Sequence, residues 1–351
     1  MAQSANMDAS ELAHDIAAGL ASATTATERA ALVPAELVEA IQQLKTKRDA
    51  VILAHYYVAP EVQAVADYVG DSFYLAKLAK SLPQQTIVLC GVEFMGESAK
   101  LLNPTKTVLL PEPGADCPMA HMVKRETVDA ARAEYGDDLA VVCYVNSTVE
   151  IKSWSDVCVT SSNAVKIVSE LPQQHVLFIP DQNLGRFVAE QVPQKHVLLN
   201  KGYCPRHHII TVEQIVDAQE AHPDALVLAH PECKADVLAE AGAEIIADSC
   251  PDYIGSTAGI IKYAEESDAS EFIIVTVRGV LYELERRCQG TGKKFYFPAV
   301  QPTCVNMDRI TLEKLVRCLE TGEGEVQIGV SDEAAEQAKL TLDRMLEYAA
   351  R

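Results

Sequence analysis

Val51-Ile52-Leu53-Ala54-His55-Tyr56-Tyr57 is an apolar run that stops abruptly on proton-bearing side chains. An uninterrupted apolar stretch of this length predicts a parallel strand buried on both faces. Two later strings repeat the pattern, Val141-Val142-Cys143-Tyr144-Val145-Asn146 and Leu226-Val227-Leu228-Ala229-His230-Pro231-Glu232. Each of the three is followed by a hydroxyl group ahead of helical sequence, at Ser72, at Ser161 with Ser162, and at Ser256 with Thr257. Each then reaches a cysteine, at Cys117, Cys204 and Cys304. Strand end to strand end is 89 and then 86 residues, strand end to serine is 17, 17 and 26, and serine to cysteine is 45, 43 and 48. Order and spacing kept three times indicate a triplicated unit with one insertion in its third copy, at a period too long for a solenoid.

Outward from these strings the same alternation continues. Apolar runs at Thr86–Gly91, Thr107–Leu110, Val157–Thr160, His175–Ile179, Glu244–Ala247 and Phe272–Thr276 are separated by helical stretches. The fold class is therefore α/β: three similar three-layer α/β/α domains with parallel sheets, arranged around a pseudo-threefold axis with the active site at their junction. A helix over Pro34 to Lys47 leads into the first run, and Asp332 to Ala350 is an amphipathic helix that packs back on the body. The expected division is a flexible extension over residues 1–33, a first domain over 34–118 plus 306–351, a second over 119–205 and a third over 206–305.

Composition narrows the function. The chain has 351 residues and a formal net charge of −20, which opposes nucleic acid or an anionic membrane as a general partner. No window holds the roughly 18 consecutive apolar residues of a membrane span. The first 27 residues carry Asp8, Glu11 and Asp15, unlike a signal or transit peptide. Ten cysteines scattered without paired spacing point to a reducing cytoplasm rather than a disulfide framework. An anionic small molecule remains a candidate ligand, provided local donors receive it.

In open parallel sheets ligands sit beyond the carboxyl ends of the strands, where the polar residues of the three repeats fall. With strand ends turned inward, three cysteines meet. Three thiolates suit either a Cys₃ zinc site or a [4Fe-4S] cluster with one open iron. The missing Cys-x₂₋₄-Cys pair favours the cluster, whose open iron is a Lewis acid for dehydration chemistry. The turns that present these cysteines contain Gly and Pro, whereas Cys90, Cys143, Cys158, Cys233, Cys250, Cys288 and Cys318 lack that setting and read as packing residues. The Ser and Thr positions read as helix caps that can also cradle carboxylate or phosphate. His55, Tyr57, Tyr144, Asn146, His230 and Glu232 offer proton donors and acceptors over a wide pKa range, as stepwise imine and enol chemistry requires.

Past residue 35 the chain resembles the quinolinate synthases. The segments that carry the resemblance include Gly70-Asp71-Ser72, Phe94-Met95-Gly96-Glu97, Cys117-Pro118-Met119-Ala120, Tyr144-Val145-Asn146, Pro180-Asp181, Cys204-Pro205-Arg206-His207, His230-Pro231-Glu232 and Cys304-Val305-Asn306-Met307. The resemblance implies condensation of iminoaspartate with dihydroxyacetone phosphate, with loss of phosphate and water, in de novo NAD synthesis. It implies a [4Fe-4S] cluster on Cys117, Cys204 and Cys304. It implies carboxylate or phosphate contacts at Ser72, Asn146, Ser161, His207, Ser256 and Thr257, and proton transfer by His55, Tyr57, Tyr144, His230 and Glu232. Transient contact with L-aspartate oxidase is implied, as is a monomer or homodimer.

Two positions depart from that family's pattern. Pro298 and Gln301 stand where many members resemble a Cys-x-x-Cys-x-x-Cys run ending at the third ligand, so no regulatory disulfide is expected beside Cys304. Val277 stands where an acidic residue is expected, with Glu283 as its candidate substitute. The rival readings are a zinc or cluster hydro-lyase acting on other acids, and a non-catalytic ligand-binding protein with packing cysteines.

Overall fold

The computed structural model describes residues 9–16, 20, 25–234, 237, 252–299 and 302–351. Among the described residues, twelve strands form three four-stranded sheets, every pairing within them parallel. The first holds β1 (Ala50–His55), β2 (Tyr68–Gly70), β3 (Thr86–Cys90) and β4 (Thr107–Leu109). The second holds β5 (Leu139–Tyr144), β6 (Val157–Val159), β7 (His175–Ile179) and β8 (His196–Leu199). The third holds β9 (Leu226–Ala229), β10 (Tyr253–Ile254), β11 (Glu271–Val275) and β12 (Lys294–Tyr296). Each has the order second-first-third-fourth, so the chain reverses direction across the sheet between its first and third strands. That reversal opens a crevice at the carboxyl ends of β1, β5 and β9.

The alternation of side chains is plain in the third sheet. Val227, Ala229, Ile273 and Val275 pack on one face with Ile210 and Ile215, while Leu228, Phe272 and Ile274 pack on the other with Ile260 and Ile261. Tyr56 joins that second face from the first unit. The first two sheets share a continuous core. Each fully buried aromatic there, such as Phe178, contributes about 1.5–3 kcal/mol through burial.

Eight strands match runs expected from sequence, and the four others, β2, β8, β10 and β12, are all sheet edges. They are short and incompletely buried, so they lack continuous apolar runs. The edges that were legible are covered: the helix Asp332–Ala350 lies over β6, and Val326 N–H donates to Val108 of β4. The expected run Glu244–Ala247 lies outside the described residues, as does Cys250.

The helix Asp332–Ala350 matches its expected span and bridges units, contacting β6, Val149–Ser153 and Glu93–Leu102. Ahead of the first sheet, the helix Ala9–Asp15 buries Ala9 and Ala13 and packs on Leu312–Thr321. The helix Ala26–Ala31 bridges units too. Thr27 donates to Glu285, and Arg29 pairs with Glu61 at 2.8 Å.

A second triplicate device is absent from the repeat pattern read above. An aspartate just before each edge strand accepts an N–H from the second or third residue of the central strand: Asp67 from Ile52, Asp156 from Val141 and Asp252 from Val227, at 2.8, 2.7 and 2.6 Å. It satisfies a buried strand-start donor that the ladder leaves open. Asp67→Ala should cost about 1–3 kcal/mol, because the Ile52 N–H then loses its partner. Urea unfolding measures this, and an unchanged midpoint would contradict the latch.

Candidate active site

The carboxyl ends of β1, β5 and β9 face one cavity of about 170 Å³. β1 ends on His55, β5 on Tyr144, and His230 directly follows β9. The two histidines are held alike: His55 Nδ1 accepts the N–H of Tyr57 at 3.1 Å, and His230 Nδ1 accepts the N–H of Glu232 at 3.3 Å. An accepting Nδ1 places the proton on Nε2. Burial lowers the His55 pKa to about 4 and that of His230 to about 3, against the pull of Glu232, so both are neutral at pH 7.

Glu232 is the charged centre of the site. Tyr144 Oη donates to its Oε1 at 2.6 Å, and Asn146 Nδ2 lies 3.5 Å from the same oxygen. His207 Nδ1 donates to Oε2 at 2.7 Å. Burial works to raise this carboxyl, but His207, His230 and Tyr144 together hold it near 2, so it is ionised. On its far side His207 Nε2 meets Thr276 Oγ1 at 2.9 Å, and Thr276 Oγ1 meets Tyr57 Oη at 2.9 Å. A continuous chain, Tyr57–Thr276–His207–Glu232–Tyr144, thus crosses all three units. Burial raises both tyrosines far above the usual phenol value, so they carry their protons. Sequence reasoning missed Thr276, which continues the third unit's run as an unremarkable β-branched residue.

Tyr57 is braced from behind. Gln63 Nε2 donates to the carbonyls of Tyr56, Val58 and Gly279, tying the Tyr57 turn to the third unit. A Cβ at Gly279 would stand 2.5 Å from Tyr57 Cα, so this approach requires glycine.

Cys117, Cys204 and Cys304 all line the cavity, one from each repeat. Cys117 and Cys204 directly precede short helices that begin with Pro118 and Pro205, and Cys304 precedes the turn Met307–Arg309. At each sulfur the amides two and three residues on favour the thiolate: Met119 and Ala120, Arg206 and His207, Asn306 and Met307. Cys117 and Cys204 nonetheless close no capping hydrogen bond of regular geometry. Burial dominates and pushes all three thiols up, Cys117 to about 12. Such thiols become thiolates only when a bound cation takes the proton's place.

Cys204, His207 and Glu232 bring ligand atoms within 4.8 Å of one another, close enough for one ion, whereas the three cysteines form no such tight group. The nine described cysteines are free thiols, and Cys90, Cys143, Cys158, Cys233, Cys288 and Cys318 are buried.

Of the expected site residues, all but Ser256 line the cavity. Ser256 caps the helix Thr257–Glu266 by accepting the Gly259 N–H, while Thr257 Oγ1 meets Tyr57 Oη at 2.7 Å. Ser72 is not a cap: Asp71 takes that role, leaving the Ser72 hydroxyl on the cavity wall. Ser161 lies in a turn ahead of Ala164–Glu170, and Ser162 bonds Thr160 at 2.8 Å. Val277 is buried on the cavity wall. Glu283 does not replace the missing carboxylate there, because it is away from the cavity and clamped by Arg286 and Arg287. Asp71 and Arg206 line the cavity without having been singled out from sequence.

The family model described as quinolinate synthetase A protein matches residues 39–347. The curated quinolinate synthase of Fusobacterium nucleatum is 48% identical over 309 residues, covering 88% of this chain and 98% of its own. Those of Caldicellulosiruptor saccharolyticus and Clostridioides difficile are 45% and 43% identical, each over 88% of this chain and over 96% and 97% of their own.

The neutral histidines set a pH dependence. In the unfolded chain His55 and His230 take up protons near 6.5, but in the folded chain only near 4 and 3. The folded state therefore binds fewer protons, and stability falls as pH drops below 6.5, by about 2 kcal/mol for each histidine by pH 5. His55→Gln should flatten the decline of melting temperature over that window. An identical slope in variant and parent would refute the assignment.

Proposed function

Because the chain belongs to the quinolinate synthase family, enzymes of NAD biosynthesis, we propose that it condenses iminoaspartate with dihydroxyacetone phosphate. Phosphate and water leave as the pyridine ring closes. The observation that carries this reading is the meeting of three cysteines, one from each repeat, beside a hydrogen-bonded proton relay in one cavity.

Cys117, Cys204 and Cys304 would hold a [4Fe-4S] cluster. Their fit rests on soft donors and on amides that favour the thiolates. When bound, such a cluster supplies an iron without a protein ligand, a Lewis acid for a substrate oxygen.

The chain's own residues do the rest. Ionised Glu232 accepts protons, and protonated Tyr57 and Tyr144 donate them, with Thr276 and His207 linking the two ends. Neutral His55 and His230 offer Nε2–H to carbonyl or imine groups. The hydroxyls of Ser72, Ser161 and Thr257, with the Asn146 amide, hold substrate carboxylates. The buried setting excludes water from an imine that hydrolyses readily, and we assign its supply to L-aspartate oxidase in transient contact.

Anaerobic protein given both substrates should form quinolinate and phosphate in equal amounts. Glu232→Gln should lower kcat at least about 100-fold with metal content retained. Near-parental turnover in that variant would contradict the relay.

A second reading is favoured by the close group Cys204, His207 and Glu232, which could hold a single divalent ion. The readings separate on metal content. Loss of metal in Cys117→Ala and Cys304→Ala selects the cluster, and retention selects the single ion.

A further inference from the structure

Among the described residues that line the cavity, Arg206 is the sole arginine or lysine. Its backbone amide acts on the Cys204 sulfur, while its guanidinium makes no hydrogen bond or ion pair among the described residues. It lies within electrostatic reach of Cys304 and Asp308, the latter outside the cavity lining. Arg206 is half-buried, and Val305, on the same wall, is 48% exposed, so this part of the wall lies toward solvent. The inner end already carries the negative charge of Glu232.

A phosphate dianion entering this cavity is repelled by Glu232 and by a chain of net charge −20. Hydroxyls and amides suffice for carboxylates, but a dianion gains most from a full positive charge, and the guanidinium fork matches phosphate oxygens two at a time. We propose that Arg206 binds the phosphate of the triose phosphate and holds it at the outer end of the cavity. The carbon chain then points inward, toward the cysteines and the relay. The proposal rests on the substrate reading above and names a contact for one of its two substrates.

The test is steady-state kinetics with each substrate varied in turn, on anaerobic parent, Arg206→Gln and Arg206→Lys proteins of matched iron content. Arg206→Gln should raise the KM for dihydroxyacetone phosphate about 10- to 100-fold while the KM for iminoaspartate stays within about 3-fold. Arg206→Lys, which keeps the charge and loses the fork, should fall between. Inorganic phosphate should compete with the triose phosphate in the parent and lose potency in Arg206→Gln. Unchanged kinetics, or a KM that rises for iminoaspartate instead or equally, would overturn the proposal. A parent that makes no quinolinate from these substrates would instead overturn the substrate reading, so the two failures are distinct.

Discussion

A single buried carboxylate, Glu232, is the point on which the three units close. It is 4% exposed, and a charge so buried is tolerable only when fully partnered. Its partners come from different parts of the chain. Tyr144 and Asn146 reach it from the second unit, His207 from the segment after Cys204, and Asn183 Nδ2 holds its own carbonyl at 3.0 Å. Removing Tyr144 or His207 would take a close donor from this buried charge. The hydrogen-bonded chain through Glu232 is therefore also the interunit joint.

The second governing feature is the identical topology of the three sheets. Each reverses between its first and third strands, and each directs the end of its central strand at the shared cavity. One structural unit used three times supplies a strand-end proton group, a hydroxyl or cap ahead of a helix, and a cysteine before a short helical turn. Divergence among the copies then separates the roles. The same turn that holds His55 by the Tyr57 amide holds His230 by the Glu232 amide, while the second copy carries Tyr144 instead.

Much of this was legible in the chain because buried central strands write continuous apolar runs. The uncovered edge strands did not, since Tyr68–Gly70 and Lys294–Tyr296 bury too little to leave a pattern. The convergence of Cys117, Cys204 and Cys304 was legible from spacing. The residues that connect the site were not. Thr276 looks like any strand-end threonine, Gln63 like any helix glutamine, and Asp181 only reveals itself by capping Gln182–Gln191 while accepting the Cys204 N–H at 3.1 Å. Each acts by bridging segments far apart in sequence, which no local pattern records. Ser256 shows the reverse case, a position flagged by pattern whose hydroxyl is committed to its own helix.

The central claim is that the three cysteines hold an iron–sulfur cluster. Purification of the full chain under anaerobic conditions, followed by iron, acid-labile sulfide and zinc analysis, tests it most directly. The account predicts a brown protein with about four irons and four sulfides per chain. A colourless protein carrying one zinc per chain and no sulfide would contradict it.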